Sequence, residues 1–267
     1  MTVTDVNVVK SAIFERPDDA NKGTLGSLLC VCGSYGMAGA AVMSAKGALR
    51  TGIGLAKCAL PRSIYPIVAQ TILESVYYPL SENADGRISK VNVPFLVSES
   101  CKSSATLVGC GLGVCDDTLK VVFSLIENST TPLVLDADAL NCVAKQHEIL
   151  LRKKAPIIIT PHPGEMSRLT GLATPLVNAE RERVALDFAQ KYGVVTVLKG
   201  AGTVIASPNG KVLVNPTGNS GMATGGSGDV LAGMTASILA QGASAFSSAA
   251  AAVYLSLIHI SEPTRPY

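Results

Sequence analysis

The sequence predicts an α/β fold in which a mainly parallel central sheet has helices on both faces and an antiparallel hairpin at one edge. Continuous apolar runs of strand length alternate with helical patterns, which is typical of parallel strands buried on both faces. The pair Asn209-Gly210 separates two short strand-like runs, as in a hairpin. Of the 267 residues, 48% are hydrophobic and 16% are charged. These values fit one large domain with a well-buried core.

The predicted elements follow this alternation along the chain. The first three are a buried strand entering a glycine loop in LLCVCGSYG (28–36), a helix of small residues in MAGAAVMSAKGALRTG (37–52) and a strand ended by proline in IGLAKCALP (53–61). Further strands are predicted in ATLVGCGLG (105–113) and VVTVLKG (194–200), and a strand followed by a loop is predicted in TPLVLDADAL (131–140) and in APIIITPHPGE (155–165). Helices are predicted in DTLKVVFSLIENS (117–129) and AERERVALDFAQKYG (179–193). SENADGRIS (81–89) is predicted to be a surface loop.

Charge and cysteine usage exclude several classes of protein. The 22 basic and 20 acidic residues give a net charge of +2 without a long run of either sign, so we expect no binding to nucleic acid or to membranes. The spacing of cysteines and histidines supports no zinc site, and neither a Walker A lysine motif nor a GxSxG elbow occurs. Because the amino terminus lacks a signal-peptide core and no apolar run reaches about 18 residues, we expect a cytoplasmic protein with small-molecule partners.

Polar and glycine-rich segments follow the predicted strands or precede the predicted helices. These segments are 33–39, 109–113, 136–138, 162–165, 199–203 and 225–229. In an open parallel sheet, ligands bind outside the carboxyl ends of the strands. We therefore expect these six segments to share one rim of the sheet.

The segment Gly225-Gly226-Ser227-Gly228-Asp229 leads directly into the apolar run VLAGMTASILAQ. Clustered glycines before a helix supply unpaired backbone N–H groups at its positive end, which is an anion-binding arrangement. An acid beside a bound phosphate suits a base that deprotonates a hydroxyl group. The alternative is structural: Asp229 caps the helix, and the glycines allow close packing.

Three other polar segments each have a functional and a structural interpretation. KGAGT (199–203) could wrap the phosphates or ribose of a nucleotide, or could be a tight turn with a solvated lysine. His162 could contact a ligand or cap a helix, and Glu165 could be a first-turn acid favoured by the helix dipole. Asp136 or Asp138 could organise water and Mg²⁺ near phosphates, or could cap the following helix.

Five segments have a characteristic order and spacing. They are KGTLGSLLCVCGSYGMAGAAVMSAKGALRTGIGLAKCALP (22–61), LVLDADAL (133–140), TPHPGEMSRLTG (160–171), VLKGAGTVIA (197–206) and NPTGNSGMATGGSGDVLAGMTASILAQG (215–242). Together they resemble the ADP-dependent NAD(P)H-hydrate dehydratases, a branch of the ribokinase-like superfamily. The resemblance covers roughly residues 22–254 and implies a ribokinase-like three-layer sandwich.

The resemblance also implies an activity. The enzyme would dehydrate the C6-hydrated (S)-form of NADH or NADPH, and would couple this repair to conversion of ADP, with ATP as the alternative, to AMP and phosphate. Mg²⁺ and a homo-oligomer, with a tetramer as one form, are further expectations. The alternatives are a ribokinase-like kinase of the hydroxymethylpyrimidine or hydroxyethylthiazole type, and a nucleotide-binding protein without catalysis.

The family pattern assigns site residues position by position. The hydrated dinucleotide would contact Ala40 or Ala41, Gly113 or Gly111, His162 and Asp229. The adenine nucleotide would contact Lys199, Gly200, Ala201, Gly202 and Thr203, and its phosphates would contact Gly225, Gly226, Ser227 and Gly228. Asp229 would be the catalytic base that removes the proton from the C6 hydroxyl group. Cys110 stands where the family usually has proline, and this departure is expected to reduce loop rigidity rather than to remove a catalytic group.

Residues 1–254 are expected to form a single dehydratase domain. The segment LSLIHISEPTRPY (255–267) has no counterpart in the family pattern. LSLIHISEPTR is the translation of DNA that resembles the transposase adapter of sequencing libraries. We therefore expect residues 255–267 to be a non-native tail.

Overall fold

A computed structural model describes residues 3–13, 17–218 and 224–261. The strands within these ranges are β1 (Ser27–Val31), β2 (Leu55–Pro61), β3 (Val76–Leu80), β4 (Ala105–Val108), β5 (Leu133–Leu135), β6 (Ile157–Ile159), β7 (Val195–Leu198), β8 (Thr203–Ala206) and β9 (Val212–Asn215). The α-helices are α1 (Val6–Ala12), α2 (Ala38–Arg50), α3 (Tyr65–Thr71), α4 (Val93–Lys102), α5 (Asp116–Asn128), α6 (Asp138–Val143), α7 (Pro163–Thr170), α8 (Thr174–Ala179), α9 (Arg181–Tyr192), α10 (Ser227–Ala240) and α11 (Ala245–Ser261). Lys90–Asn92 and His147–Arg152 form short 3-10 helices.

The strands form one sheet with the order β3-β2-β1-β4-β5-β6-β7-β8-β9. Neighbouring strands from β3 to β7 are parallel, whereas β8 is antiparallel to both β7 and β9. In the turn between β8 and β9, the N–H of Ser207 donates to the Lys211 carbonyl at 2.9 Å, and Gly210 adopts a left-handed φ of 89°. The predicted parallel sheet with an antiparallel edge hairpin is therefore confirmed.

Helices cover both faces of the sheet and create two hydrophobic cores. Leu28, Cys30 and Cys32 face the core formed with α1, α2, α3, α10 and α11. Leu29 and Val31, the alternate residues of the same strand, face the core formed with α4 to α9. Because successive side chains of a strand point to opposite faces, one apolar strand serves both cores. The expected three-layer arrangement is confirmed.

Close packing of α2 against α10 fixes the position of the helix that begins at the glycine-rich segment. A Cβ atom on Gly233 would lie 2.0 Å from the Ser44 carbonyl oxygen, and one on Gly47 would lie 2.7 Å from the Val230 carbonyl oxygen. Only glycine permits this approach without a backbone shift. Asp229 lies in the first turn of α10, so this helix contact holds its backbone in place.

The structure differs from the sequence predictions mainly at the edge of the sheet. β1 ends at Val31 and β5 ends at Leu135, and a loop follows each strand, as predicted. No element was predicted at β3, an edge strand whose side chains are mostly exposed or half-buried. An edge strand of this kind lacks the continuous apolar run that marks a central parallel strand.

Two further predictions concern loops and the end of the chain. The segment Ser81–Ser89 is a loop, as predicted, with an isolated bridge between Glu82 and Ile88. α11 continues past the predicted boundary at residue 254 to Ser261, and residues 262–267 lie outside the described residues. The predicted tail therefore stays a prediction. Among the described helices, none combines the length and the apolarity needed to cross a membrane.

Candidate active site

The carboxyl ends of the parallel strands meet at one rim, as the sequence predicts. Gly33, after β1, donates its N–H to the carbonyl of Cys110, after β4, at 2.8 Å. The backbone N–H of Lys199, after β7, donates to the carbonyl of Pro161, after β6, at 2.8 Å. The Lys199 ammonium group also donates to Asp136, after β5, at 2.7 Å. These contacts bring loops from five strands together.

The glycine-rich segment forms the N-terminus of α10 at this rim. Gly226 is the N-cap residue with a left-handed φ of 92°, and a Cβ atom there would lie 2.0 Å from the sulfur of Met43. In the described part of the chain, the N–H groups of Gly228 and Asp229 have no hydrogen-bond acceptor. Asp229 makes no capping hydrogen bond, so the predicted capping role is wrong. The free N–H groups and the helix dipole favour an anion.

Asp229 lies in a cluster with Asp136 and Cys110. One carboxylate oxygen from each acid and the Cys110 sulfur all lie within 4.8 Å of one another. Burial and the nearby charge of Asp136 raise the pKa of Asp229 from 3.8 to about 6, although Cys110 and Lys199 act in the opposite direction. A carboxylate with this pKa is ionised at neutral pH and is a stronger base than an ordinary aspartate.

Lys199 lies between the acids and the start of α10. Its ammonium nitrogen is 2.7 Å from Asp136 and 3.9 Å from Glu165, and it would lie 3.3 Å from a Cβ atom on Gly228. Burial opposes the charged form, but Asp136 and Glu165 outweigh it and raise the pKa of Lys199. The alternative of a solvated lysine in a turn is therefore wrong, since only 18% of the side chain is exposed.

His162 is the N-cap residue of α7, as one of its two interpretations predicted. Its Nδ1 accepts hydrogen bonds from the N–H groups of Gly164 at 3.0 Å and Glu165 at 3.3 Å, while the Glu165 carboxylate accepts from the His162 N–H at 2.8 Å. Burial, together with the charges of Lys199 and Arg168, lowers the pKa of His162. The imidazole is therefore neutral with its proton on Nε2, and half of the side chain remains exposed to a ligand.

Asp138 connects two of the rim loops. Its carboxylate accepts a hydrogen bond from the N–H of Gly113 at 2.8 Å, and Asn141 donates to its other oxygen at 3.3 Å. α6 begins at Asp138 and has no side-chain cap, so neither acid of the DADAL segment caps that helix. Ala137, between the two acids, has a φ of 49°, which is strained for a residue with a side chain. This turn directs Asp136 and Asp138 to different partners.

The predicted dinucleotide residues of α2 and the glycine loop contact each other. A Cβ atom on Gly111 would lie 2.7 Å from the Cβ of Ala40, and one on Gly33 would lie 3.1 Å from the Cβ of Ala41. Ala40 and Ala41 are almost completely buried. Small residues at these positions keep the loops close to the helix. Their predicted contact with a ligand stays a prediction, as does that of Gly111 and Gly113.

The Ser81–Ser89 loop lies against the same rim. Gly86 accepts a hydrogen bond from the N–H of Tyr35 at 2.9 Å. The Arg87 guanidinium group would lie 2.5 Å from a Cβ atom on Gly113 and donates to the Val114 carbonyl at 3.5 Å. No local motif in SENADGRIS predicts this contact. A distant loop therefore supplies a cation beside a predicted substrate residue.

A cavity of about 460 Å³ adjoins the KGAGT segment. Gly202, Val204 and Val214 line one side, and residues 178–183 line the other. Arg181 supports the segment, because its guanidinium group donates to the Leu198 carbonyl at 2.7 Å. The volume is in the range of small-molecule sites, and the wall from β8 and β9 is apolar.

Besides Arg87, two site residues were not found by reasoning from the sequence. Cys110 was expected to affect only loop rigidity, but its sulfur lies 4.0 Å from the Asp136 carboxylate and belongs to the Asp229 cluster. Its replacement of the usual proline was the available signal. Arg181 had no signal beyond a helical pattern, because its contact with Leu198 depends on the tertiary arrangement of α9 and β7.

The parallel sheet, its antiparallel edge and the glycine-rich helix start define a ribokinase-like α/β protein. A ribokinase-like superfamily protein from Enterococcus faecalis V583 has this fold, with a TM-score of 0.83 and 24% identity over 96% of this chain and 86% of that chain. The NAD(P)H-hydrate dehydratase family model matches residues 28–259. The chain therefore belongs to the NAD(P)H-hydrate dehydratase family.

Individual relatives agree with this assignment. The ADP-dependent (S)-NAD(P)H-hydrate dehydratase of Neisseria meningitidis serogroup B is 35% identical over 243 residues, which is 90% of this chain and 78% of that protein. The structure is similar to that of the ADP/ATP-dependent NAD(P)H-hydrate dehydratase from Bacillus subtilis co-crystallised with ATP and Mg²⁺, with a TM-score of 0.79 and 30% identity over 95% of this chain and 86% of that chain.

Longer relatives also match. The bifunctional NAD(P)H-hydrate repair enzyme of Thermofilum pendens is 40% identical over 208 residues, which is 78% of this chain. The chain spans about 40% of the length of that relative.

Proposed function

We propose that this protein repairs hydrated nicotinamide nucleotides by ADP-dependent dehydration. It converts the (S)-form of hydrated NADH or NADPH to NADH or NADPH, while ADP becomes AMP and phosphate. The observation that carries this proposal is the position of Asp229, a carboxylate with a raised pKa beside free N–H groups at the start of α10. The base Asp229 is therefore adjacent to the anion site at the start of α10. The reaction needs this arrangement, because a hydroxyl group is deprotonated while it attacks a phosphoryl group.

The nucleotide extends along the rim from the cavity to α10. The adenosine occupies the cavity beside Gly202. The apolar wall of this cavity suits the adenine ring. Lys199, three residues earlier, has its ammonium group against Gly228, where it attracts the phosphates. The free N–H groups at the start of α10, within and next to the glycine-rich segment, then bind the terminal phosphoryl group. The nucleotide contacts of residues 199–203 and 225–228 are part of this proposal.

The dinucleotide lies on the other side of Asp229, against the loops that contain Gly111 and Gly113. Half of the His162 side chain is exposed, and its Nε2 lies 3.4 Å from Oε1 of Glu165, so the dinucleotide would compete with that carboxylate for this donor. Small side chains at Ala40 and Ala41 allow the glycine loop to lie close to α2. Asp138 fixes that loop through the N–H of Gly113, so the substrate surface is preorganised.

The chemistry proceeds by phosphorylation and elimination. Asp229 takes the proton of the C6 hydroxyl group as the oxygen bonds to the terminal phosphorus of ADP, and the bond to AMP breaks. Phosphate is a better leaving group than hydroxide, so the electron pair of the ring nitrogen expels it from C6. Loss of a proton from the neighbouring ring carbon restores the double bond. The N–H groups of α10 stabilise the charge that develops on the transferred phosphoryl group.

The donor set beside Asp229 fits Mg²⁺ in part. Asp136 has a carboxylate oxygen within 4.8 Å of the Asp229 carboxylate, and Mg²⁺ prefers oxygen ligands, so Asp136 would hold the ion beside a base that stays free. When bound, the ion would neutralise charge on the phosphate oxygens. Lys199 already neutralises one oxygen of Asp136 at 2.7 Å, so the second oxygen is the one available to the ion.

The experiment that tests this function is a direct assay of NADH formation. Hydrated NADH and Mg²⁺ are incubated with the protein and ADP, and the near-ultraviolet absorbance of NADH is followed, with parallel reactions containing ATP or no nucleotide. A nucleotide-dependent rise with release of AMP supports the proposal. Accumulation of a stable phosphorylated product without NADH would instead indicate a small-molecule kinase, and nucleotide binding without turnover would indicate a non-catalytic protein.

Three further expectations accompany this function. We expect a homo-oligomer, with a tetramer as one form, which light scattering of the purified protein tests. We expect a cytoplasmic location, which cell fractionation tests. We also expect residues 255–267 to be a non-native tail, and sequencing the gene across this junction tests that expectation.

A further inference from the structure

The proposed dehydration gives no role to the Cys110 thiol, although it lies at the bottom of the Asp229 cluster. Its sulfur is 4.0 Å from Oδ2 of Asp136, and one oxygen of Asp229 lies within 4.8 Å of both. Cys110 and Asp136 are buried, whereas Asp229 is half-buried. The cluster is therefore closed on one side and accessible from the side of Asp229.

The three candidate ligand atoms are the Cys110 sulfur and one carboxylate oxygen each of Asp136 and Asp229. The other contacts of these residues leave room for the three atoms to move closer together. Lys199 occupies Oδ1 of Asp136 at 2.7 Å, and Oδ2 faces Cys110. Zinc binds thiolate at about 2.3 Å and carboxylate oxygen at about 2.0–2.2 Å, so its ligands lie about 3.5 Å apart. Side-chain movements of about 1 Å would bring the three atoms to that spacing. The fourth position would face the open side, as in zinc sites that keep a water molecule.

The chemistry of the donors distinguishes soft ions from Mg²⁺. A thiolate selects Zn²⁺ and similar ions, whereas Mg²⁺ prefers oxygen ligands alone. Cys32, which directly follows β1, is buried next to this loop, since its neighbour Gly33 donates its N–H to the Cys110 carbonyl at 2.8 Å. Two carboxylates and one thiolate carry three negative charges. A divalent ion supplies two positive charges against these three negative ones, and the Lys199 ammonium group, which Asp136 shares with Glu165, supplies a third.

We propose that Cys110, Asp136 and Asp229 bind a soft divalent cation such as Zn²⁺ or Cd²⁺, and that the bound ion blocks the active site. Binding requires the thiol proton to leave to solvent as the metal–sulfur bond forms. Inhibition follows because the ion occupies the carboxylate that acts as base. The inhibition rests on the proposed function, whereas the binding does not.

The test is a titration of the full, reduced chain with Cd²⁺ in the absence of nucleotide. The thiolate-to-cadmium charge-transfer absorption in the ultraviolet reports sulfur ligation directly. We expect one tightly bound equivalent with this absorption. In Cys110→Ser, the absorption of that equivalent should be lost and its affinity should fall at least about tenfold. Cys101→Ser is the matched control, since Cys101 is an exposed thiol on α4, and it should retain the tight equivalent.

A second variant keeps the proposal testable if Cys110→Ser does not fold. Asp229→Asn retains the thiol and changes a half-buried group, so it should weaken Cd²⁺ binding at least about tenfold while leaving the charge-transfer absorption at saturation. Unchanged affinity in both Cys110→Ser and Asp229→Asn would overturn the proposal. Loss of the tight equivalent in Cys101→Ser would also overturn it, because the ligand would then be the exposed thiol.

The activity measurement separates this inference from the proposed function. In the NADH assay, Zn²⁺ should inhibit the unmodified protein, and Cys110→Ser should need at least about tenfold more Zn²⁺ for half-inhibition of its own rate. Turnover without tight Cd²⁺ binding would contradict the metal site alone. Tight Cd²⁺ binding through Cys110 without any turnover would contradict the dehydratase alone.

Discussion

Glu99 and Asp229 are two carboxylates in opposite electrostatic environments. Glu99, on α4, lies 2.9 Å from the Lys102 ammonium group and 3.7 Å from that of Lys57, and it accepts a hydrogen bond from Tyr78 at 3.1 Å. The hydrogen bond from Lys102 is the main cause that lowers the pKa of Glu99. Burial and Asp136 raise the pKa of Asp229 to about 6.

Of the two clusters, only the one around Glu99 stabilises the folded protein through its charges. Around Glu99, the cations outnumber the carboxylates, so the charged form is favoured in the folded state. Around Asp229, two more acids, Asp136 and Glu165, compete for the single ammonium group of Lys199. Burial also raises the pKa of Glu165. The ionised form of Asp229 therefore makes the folded state less stable, which is a common property of functional sites.

The strongest test of this comparison is removal of the proposed base. Asp229→Asn should reduce turnover of hydrated NADH by about 10²- to 10⁴-fold, which is the usual contribution of a general base. The N–H groups at the start of α10 remain, so the dissociation constant of ADP measured by calorimetry should change little. Asp187→Asn, the same change on the exposed face of α9, is the control. Near-normal turnover in Asp229→Asn would remove the base from the mechanism.

The next largest effect is expected from substitution of Lys199, whose ammonium group Asp136 and Glu165 share. Lys199→Met leaves Asp136, which is 1% exposed, without its ion-pair partner. Breaking a buried pair in this way destabilises a protein by about 3–5 kcal/mol, so the midpoint of urea unfolding should fall strongly. The double variant Asp136→Asn with Lys199→Met should recover much of this loss.

The corresponding change at the Glu99 cluster provides the contrast. Lys102 is 64% exposed, so Lys102→Met should reduce the free energy of unfolding by less than about 1 kcal/mol. Equal losses for Lys199→Met and Lys102→Met would show that the two clusters do not differ as proposed.

A smaller expected effect is the contribution of Asp229 to the pH dependence of the free energy of unfolding. Its folded-state pKa of about 6 lies above the unfolded value of 3.8, so the folded protein binds this proton more tightly. Wild-type stability should therefore fall as pH rises from about 4 to about 6, and the loss persists above that range. Because Asn does not ionise, Asp229→Asn should be more stable than wild type by about 1–2 kcal/mol at neutral pH, after allowance for partial solvent access.

Unfolding curves at several pH values measure this difference. The stabilisation by Asp229→Asn should decrease toward zero below pH about 4, where the wild-type carboxyl group is protonated in both states. A constant difference across the whole range would mean that the substitution acts through packing rather than through charge.

The sequence predicts the secondary structure around Glu99 and Asp229 better than it predicts the electrostatic environments of these two carboxylates. Apolar runs and the Asn209-Gly210 turn predict the parallel sheet and the edge hairpin, because both depend on local patterns. The glycine-rich segment before Asp229 predicts a helix start at the rim for the same reason. Nothing local distinguishes the environment of Glu99 from that of Asp229, since both depend on side chains from distant segments.

The contacts that could not be predicted join residues far apart in the sequence. Lys199 meets Asp136 across 63 positions, and Arg87 reaches Gly113 from a loop that has no motif. For Cys110, the sequence predicts only a change in loop rigidity, because a single substitution in a glycine loop does not show where the side chain points. The sequence places each of these residues after a strand or in a loop, but only the tertiary fold determines which groups face one another.

The last effect concerns the carboxylate of the Glu99 cluster and is smaller than the effects of the substitutions at Lys199 and Asp229. Glu99→Gln should reduce the free energy of unfolding by about 1 kcal/mol at neutral pH and leave dehydratase turnover unchanged, because Lys102 is 64% exposed and the glutamine oxygen still offers an acceptor to Lys57, which is 12% exposed. Urea unfolding measures the loss. The more exposed pair of Glu127 with Arg152 supplies the control Glu127→Gln, which should change stability by less than about 0.5 kcal/mol.

The pH dependence of Glu99→Gln should have the opposite sign to that of Asp229→Asn. The pKa of Glu99 is lowered in the folded state, so its contribution is present at neutral pH and is lost as pH falls through that lowered value. Wild type and Glu99→Gln should therefore converge in acid because wild type loses stability. A gain in stability for Glu99→Gln at neutral pH would show that burial outweighs the two lysines at this site, and that Glu99 resembles Asp229 after all.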